Sequence, residues 1–153
     1  MNKKTMMIVA IAGIVLSVPA WSAGNGLVIK ASPYSAAKTL DRWEQILKRK
    51  HIRVFARISH KQNAAGVGLK LRPTELLIFG NPKLGTYFFM SNQTAGIDLP
   101  MKAMAWEDAR GQTWVAYNDP QYIADRHGIR DRADIIKKMK GALENFSNYA
   151  IAK

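Results

Sequence analysis

The chain has 153 residues, with 23 Lys and Arg against 11 Asp and Glu, and a formal net charge of +12. It contains no cysteine, which excludes disulfides, thiol nucleophiles and thiolate metal ligands. The length suits one domain with a proper core, and the basic excess raises the local concentration of anions.

The chain opens on Lys3 and Lys4, followed by an uncharged apolar run from Met6 to Val18, then Pro19 and the small residues Ala20, Ser22 and Ala23. This is the plan of a secretory signal peptide. The apolar run is about 13 residues, short of the roughly 20 that a spanning helix needs, so removal is expected rather than anchoring. The leader is read as residues 1–23 and the single mature domain as 24–153. A periplasmic address is expected, with secretion as the alternative.

Gly26–Ala31 reads as a short strand on Leu27, Val28 and Ile29. Ser32 or Ser35 then caps a helix over about Ala36–Lys50. Ala36, Leu40, Trp43 and Leu47 fall on one stripe of it, and charged residues occupy the opposite arc. Ile52–Ser59 alternates, with Ile52, Val54, Ala56 and Ile58 on one face and Arg53, Phe55, Arg57 and Ser59 on the other. Residues 60–66 read as a polar loop. Thr74–Gly80 is a strand whose unbroken Leu76-Leu77-Ile78-Phe79 run predicts cover on both faces.

Pro82 suits the first turn of a short helix to about Met90, apolar nearly all round. After the Ala95–Pro100 turn, Met101–Glu107 and Gln112–Asn118 form a hairpin across Asp108–Gly111. Asp119 caps a short helix that begins at Pro120 and ends at His127-Gly128. Asp131 is expected to cap the last long helix, where Ile136, Met139, Leu143, Phe146 and Ala150 make the buried stripe. The fold class is therefore α+β, a mostly antiparallel sheet with long helices on one face.

The chain lacks a nucleophile elbow, a phosphate loop, a dinucleotide fingerprint, H-E-x-x-H and C-x-x-C. Three histidines follow the leader: His51, His60 and His127. His51 ends a lysine-rich helix and reads as a capping cation. His60 and His127 stand at element ends, with Glu75, Asp98 and Asp119 as possible companions. Two imidazoles and a carboxylate are a zinc or copper set in principle, but no metal is assigned, and any cofactor stays unknown.

The segments Arg72–Pro82, Ala95–Pro100, Trp106–Asp108, Tyr117–Pro120 and Arg126–Gly128, in that order, resemble a bacterial domain-of-unknown-function family numbered 302, over about Gly26–Ala150. The resemblance implies a β-α-β(4)-α fold similar to the TATA-binding-protein-like class, a homodimer, and no established activity. One departure stands at Ser59-His60, where the family usually has Asp before His.

These readings give an exported, non-catalytic ligand-binding or interaction module whose candidate rim is His60, Glu75, Asn81, Asp98 and His127. The alternative is a metal-assisted or His/carboxylate enzyme using His60 or His127 as base. An anionic small molecule or a membrane surface is the expected partner class, with the Lys137, Lys138 and Lys140 cluster as a docking patch for the latter. No nucleic acid is expected in an exported protein. A two-fold homodimer is expected because apolar side chains occupy both faces of the predicted strands.

Overall fold

A computed structural model describes residues 21–153. Residues 1–20, most of the predicted leader, lie outside the described residues. The last three residues assigned to the leader, Trp21–Ala23, form a short strand (β1) whose backbone pairs with the next strand.

The elements follow as β2 (Leu27–Ser32), α1 (Ala36–Arg49), β3 (Arg53–Ser59), α2 (His60–Gly66), β4 (Thr74–Gly80), α3 (Pro82–Ser91), a 3-10 turn at Gln93–Ile97, β5 (Met101–Glu107), β6 (Thr113–Asn118), α4 (Pro120–Arg126) and α5 (Ala133–Ile151). The sheet runs β1-β2-β6-β5-β4-β3 with every neighbouring pair antiparallel. The expected order of strand, helix, four strands and helix is present in β2, α1, β3 to β6 and α5, with the two expected short helices α3 and α4, and with β1, α2 and the 3-10 turn added.

Helices α1 and α5 lie on the same side of the sheet because each carries one apolar stripe. Leu40, Trp43 and Leu47 of α1 and Leu143, Phe146 and Ala150 of α5 are buried together with Leu77, Phe79, Ala103, Ala105 and Val115 from the sheet. Trp43 packs at 5.9 Å from Phe79 and 5.8 Å from Tyr117, ring centre to ring centre. Arg42 fixes the far end of α5: its guanidinium donates to the carbonyls of Tyr149, Ala150 and Ala152 at 2.9–3.0 Å, a cation placed on the negative end of a helix. Ser35 caps α1, Asn81 caps α3 and Asp119 caps α4, so these three starts follow from side-chain oxygens the sequence displays.

Several expectations fail for identifiable reasons. Only one face of β4 is covered: Leu77 and Phe79 are buried, whereas Leu76 and Ile78 are half-buried on the face away from the helices. The alternation of β3 is broken by a bulge between Val54 and Ala56, so Val54 pairs with Phe79 and Arg57 with Leu77. That turns Arg57 toward α1. The polar loop is a helix, α2, with no buried residue; Ser59 accepts from the Gln62 N–H and caps it. Asp131 does not cap α5. It accepts from the Ser91 hydroxyl at 2.8 Å instead, and α5 starts from Arg132 without a side-chain cap. His51 adopts φ 53, taking the left-handed position that closes a helix C-terminus.

Candidate functional site

The five candidate residues do not share one rim. Consecutive connections of an antiparallel meander alternate between the two ends of the sheet, and the structure follows that rule. His60 and Glu75 stand at the β3–β4 end, where Ser59 pairs with Glu75. Asn81, Asp98 and His127 stand at the other end, beyond Gly80 and before Met101. Glu75 and Asn81 are six residues apart along a strand, about 20 Å at the usual rise. His60 and His127 therefore cannot serve one metal or one proton relay. Among the described residues no group of three His, Cys, Asp or Glu side chains is placed to hold a metal ion.

At the first end Glu75 is committed to structure. Arg57 reaches it at 2.7 Å, Asp41 at 2.6 Å and Glu44 at 3.2 Å, and donates to the Ala37 carbonyl at 3.0 Å. Burial pulls the Arg57 guanidinium down, but its hydrogen bonds to Asp41 and Glu75 outweigh that and hold it above the ordinary value. The result ties the edge strand β3 to α1. His60 occupies the first position of α2.

At the second end Asp98 and His127 form a nearly closed pair, with side chains 13% and 7% exposed. His127 Nε2 is 2.7 Å from Asp98 Oδ2 and Nδ1 is 2.8 Å from Thr94 Oγ1. The surrounding bonds assign the roles. Asn92 Nδ2 donates to the His127 carbonyl at 2.8 Å, and Asn92 Oδ1 accepts from the Thr94 N–H at 3.0 Å. The Thr94 hydroxyl therefore donates to Asn92 Oδ1, 2.8 Å away, and accepts at its own oxygen from His127 Nδ1. With the Asp98 carboxylate at Nε2, both ring nitrogens are engaged in hydrogen bonds within the fold. Arg126 adds a 3.1 Å contact to Asp98 Oδ1, and the Lys102 ammonium donates to the Asp98 carbonyl at 2.8 Å. Burial pushes the Lys102 ammonium down from its ordinary value, opposed by Asp98.

Next to this pair lies the feature that sequence reasoning missed. A cavity of ≈ 180 Å³ opens between the sheet end, α3 and α5. Its wall is Ile52, Phe55, Phe79, Leu84, Phe89, Leu99, Met101, Met139, Leu143 and Phe146, with Asn81, Pro82 and Thr86 among the lining residues. Of the five candidates only Asn81 lines it. Most of these side chains looked like core stripes; the signal available was α3 itself, apolar nearly all round and too short to bury every side. Phe88 is its one buried residue.

Residues 28–146 match the family described as "Domain of unknown function DUF302". The chain is 41% identical over 127 residues to proteins named "Fluoride-specific ion channel FluC 1" from Brucella suis biovar 1 and from Brucella abortus biovar 1, a match covering 82% of this chain and 50% and 47% of those proteins. It thus spans about half the length of these curated relatives. The fold is similar to the crystal structure of an uncharacterized conserved DUF302 protein from Bacillus stearothermophilus, with a TM-score of 0.71 at 20% identity, covering 82% of this chain and 98% of that one. By the extent of the family match and the identity to these relatives, this chain is a member of the DUF302 family.

Proposed function

We propose that this chain is a non-catalytic ligand-binding module, exported to the periplasm, whose site is the cavity between the sheet end, α3 and α5. The observation that carries the reading is a space of ≈ 180 Å³ whose lining is almost entirely apolar. Protein interiors are filled to crystal-like density, and an apolar cavity of about 150 Å³ accepts a benzene-sized guest. Three of the candidate groups suited to acid–base work are already engaged, Glu75 with Arg57 and Asp98 with His127. The Brucella relatives run to about twice the matched length, and the half they share with this chain is read as an accessory binding domain.

The test is thermal denaturation of residues 24–153 with benzene, hexanol and octanoate, repeated with Leu143→Trp, which fills the cavity. Guests that raise the wild-type midpoint and leave the variant unmoved support the reading. No shift with any guest removes it.

A second proposal rests on the uncovered sheet face. Ile58, Leu76, Ile78, Met104, Trp106, Trp114, Ala116 and Ile29 share the face opposite the helices, as the strand register requires. We propose that a second copy of the chain covers it across a two-fold axis, since an isologous contact needs one self-complementary patch.

A further inference from the structure

We propose that the natural occupant of the cavity is a short-chain carboxylate, with about six carbons of its tail inside and its head group on Arg53 and Asn81. The inference rests on the binding reading above and adds the chemical class of the ligand.

The tail follows from the lining and the size. Leu84, Phe89, Met139 and Phe146 present only carbon and sulfur to the space, and the volume matches a guest a little larger than benzene. A two-chain lipid is too large to be enclosed, which favours a free single-chain acid over a membrane lipid.

The head follows from two donors next to lining residues, Arg53 against the ring of Phe55 and the Asn81 amide. Phe55 forms part of the cavity wall and is 44% exposed, and the guanidinium of Arg53 lies 4.9 Å from the centre of its ring. Among the described residues no carboxylate lies within ion-pair reach of Arg53; the ion-paired arginines are Arg57, Arg126 and Arg132. Arg53 pairs with Gly80 in the β3–β4 register, so Asn81, which also lines the cavity, is the next residue along. Asn81 Oδ1 accepts the Lys83 N–H at 3.0 Å, which fixes the amide and leaves its Nδ2 hydrogens as donors. The N–H groups of α3 are not the anion site: those of Leu84 and Gly85 bond the Asn81 carbonyl and Pro82 has none. A guanidinium fork and an amide NH₂ are the donor types that a carboxylate accepts. A neutral or cationic head would leave those donors unmatched.

The experiment is calorimetric titration of residues 24–153 with octanoate, octan-1-ol, octylammonium and acetate, on the wild type and on Arg53→Gln. Octanoate is expected to bind at least about tenfold more tightly than octanol, with acetate and octylammonium weaker than both. Arg53→Gln should lower octanoate affinity to that of octanol and leave octanol unchanged. Equal affinities for octanoate and octanol, or an octanoate affinity that survives Arg53→Gln, overturn the carboxylate assignment while the cavity reading stands. If octanoate binds equally well to Leu143→Trp, the head site exists but the tail placement is wrong. If none of the four ligands binds, the inference and the reading beneath it both fall. Vesicles of anionic lipid form the last arm: binding to them without binding of free octanoate replaces the free acid by a membrane surface and rejects the proposal.

Discussion

His127 Nε2 lies 2.7 Å from Asp98 Oδ2, and through that contact the end of α4 is fastened to the segment that leads into β5. The pair has the look of a catalytic dyad, and each nitrogen of its ring is held in a hydrogen bond within the fold. That arrangement makes it a fastening between two segments. Removing one partner leaves the other buried without its bond, which costs about 1–3 kcal/mol. Asp98→Ala and His127→Ala should each lower the unfolding free energy obtained from urea titration by that amount, and the double variant should lose less than the sum. Arg126, with a side chain 53% exposed, belongs to the class of pairs worth at most about 1 kcal/mol, so Arg126→Ala should fall within that. Additive losses at Asp98 and His127 would show that the two do not act as a unit.

Gly26 sits at φ +81, and a Cβ built there would stand 2.1 Å from a ring carbon of Tyr122. Two separate penalties meet at this position: the left-handed backbone, about 1–2 kcal/mol for a non-glycine residue, and overlap with a ring that must then be displaced. Gly26→Ala should therefore destabilise by more than the backbone term alone, and adding Tyr122→Ala should recover the excess but not the rest. Thermal melts of the two single variants and the double variant measure both parts. A fully wild-type midpoint in Gly26→Ala would contradict the turn geometry between β1 and β2.

Much of the fold was legible because it is written in periodicities. Leu40, Trp43 and Leu47, and likewise Met139, Leu143 and Phe146, recur at helical spacing and are buried as that spacing requires. Ser35, Asn81 and Asp119 announce helix starts by chemistry that acts over two or three residues. Helix α2 was missed because it buries nothing, so no stripe exists to be read. The bulge beside Phe55 was missed because the sequence alternates straight through it, and only the pairing with β4 shows the slip that turns Arg57 onto α1. The candidate residues were grouped by type and by their place at element ends. An antiparallel meander sends successive connections to opposite ends, and that rule alone separates His60 from Asp98. The cavity was not legible, because a space between packed stripes depends on how far α3 stands from α5, and no residue pattern encodes that distance.

Lys30 gives a prediction about pH. Its ammonium donates to the buried Ser147 hydroxyl at 2.7 Å and to Asn148 Oδ1 at 2.8 Å. Burial lowers its pKa from the ordinary 10.5, with Glu144 opposing. The folded state then holds this proton less tightly than the unfolded chain does. In the window below 10.5 the unfolded chain binds more protons at this position, so the contribution of Lys30 to stability rises as pH rises. Tyr117 acts in the opposite direction, because burial raises its phenol above 10.0, so wild type alone does not isolate the effect. The stability difference between wild type and Lys30→Met does, since Tyr117 is common to both. That difference should move in favour of wild type between neutral pH and about 10; a flat difference would mean that Lys30 is solvated like a surface lysine.

The uncovered sheet face carries the last prediction. Five strands spaced about 4.8 Å apart and about 20 Å long present a footprint of about 500 Å², at the upper end of what a monomer leaves open. Met104 lies at its centre, opposite Leu76 on one side and Ala116 on the other, and Trp106 faces Trp114 beside it. The face is half-buried by its own neighbours, and among the described residues the long helices α1 and α5 lie on the other side of the sheet. A stable interface needs about 800 Å² from each partner, so the rim must contribute, and Val67, Leu69 and Leu71 beyond α2 are exposed apolar residues near the β3–β4 end able to do so. Light scattering of residues 24–153 at micromolar concentration should give twice the chain mass. Met104→Lys places a charge at the centre of the contact and, because the residue points away from the helices, should yield a folded monomer with an unchanged circular dichroism spectrum. The Leu69→Asp variant should weaken the dimer by less. A single-chain mass for the wild type that does not change with concentration would remove the dimer and leave the face to a different partner.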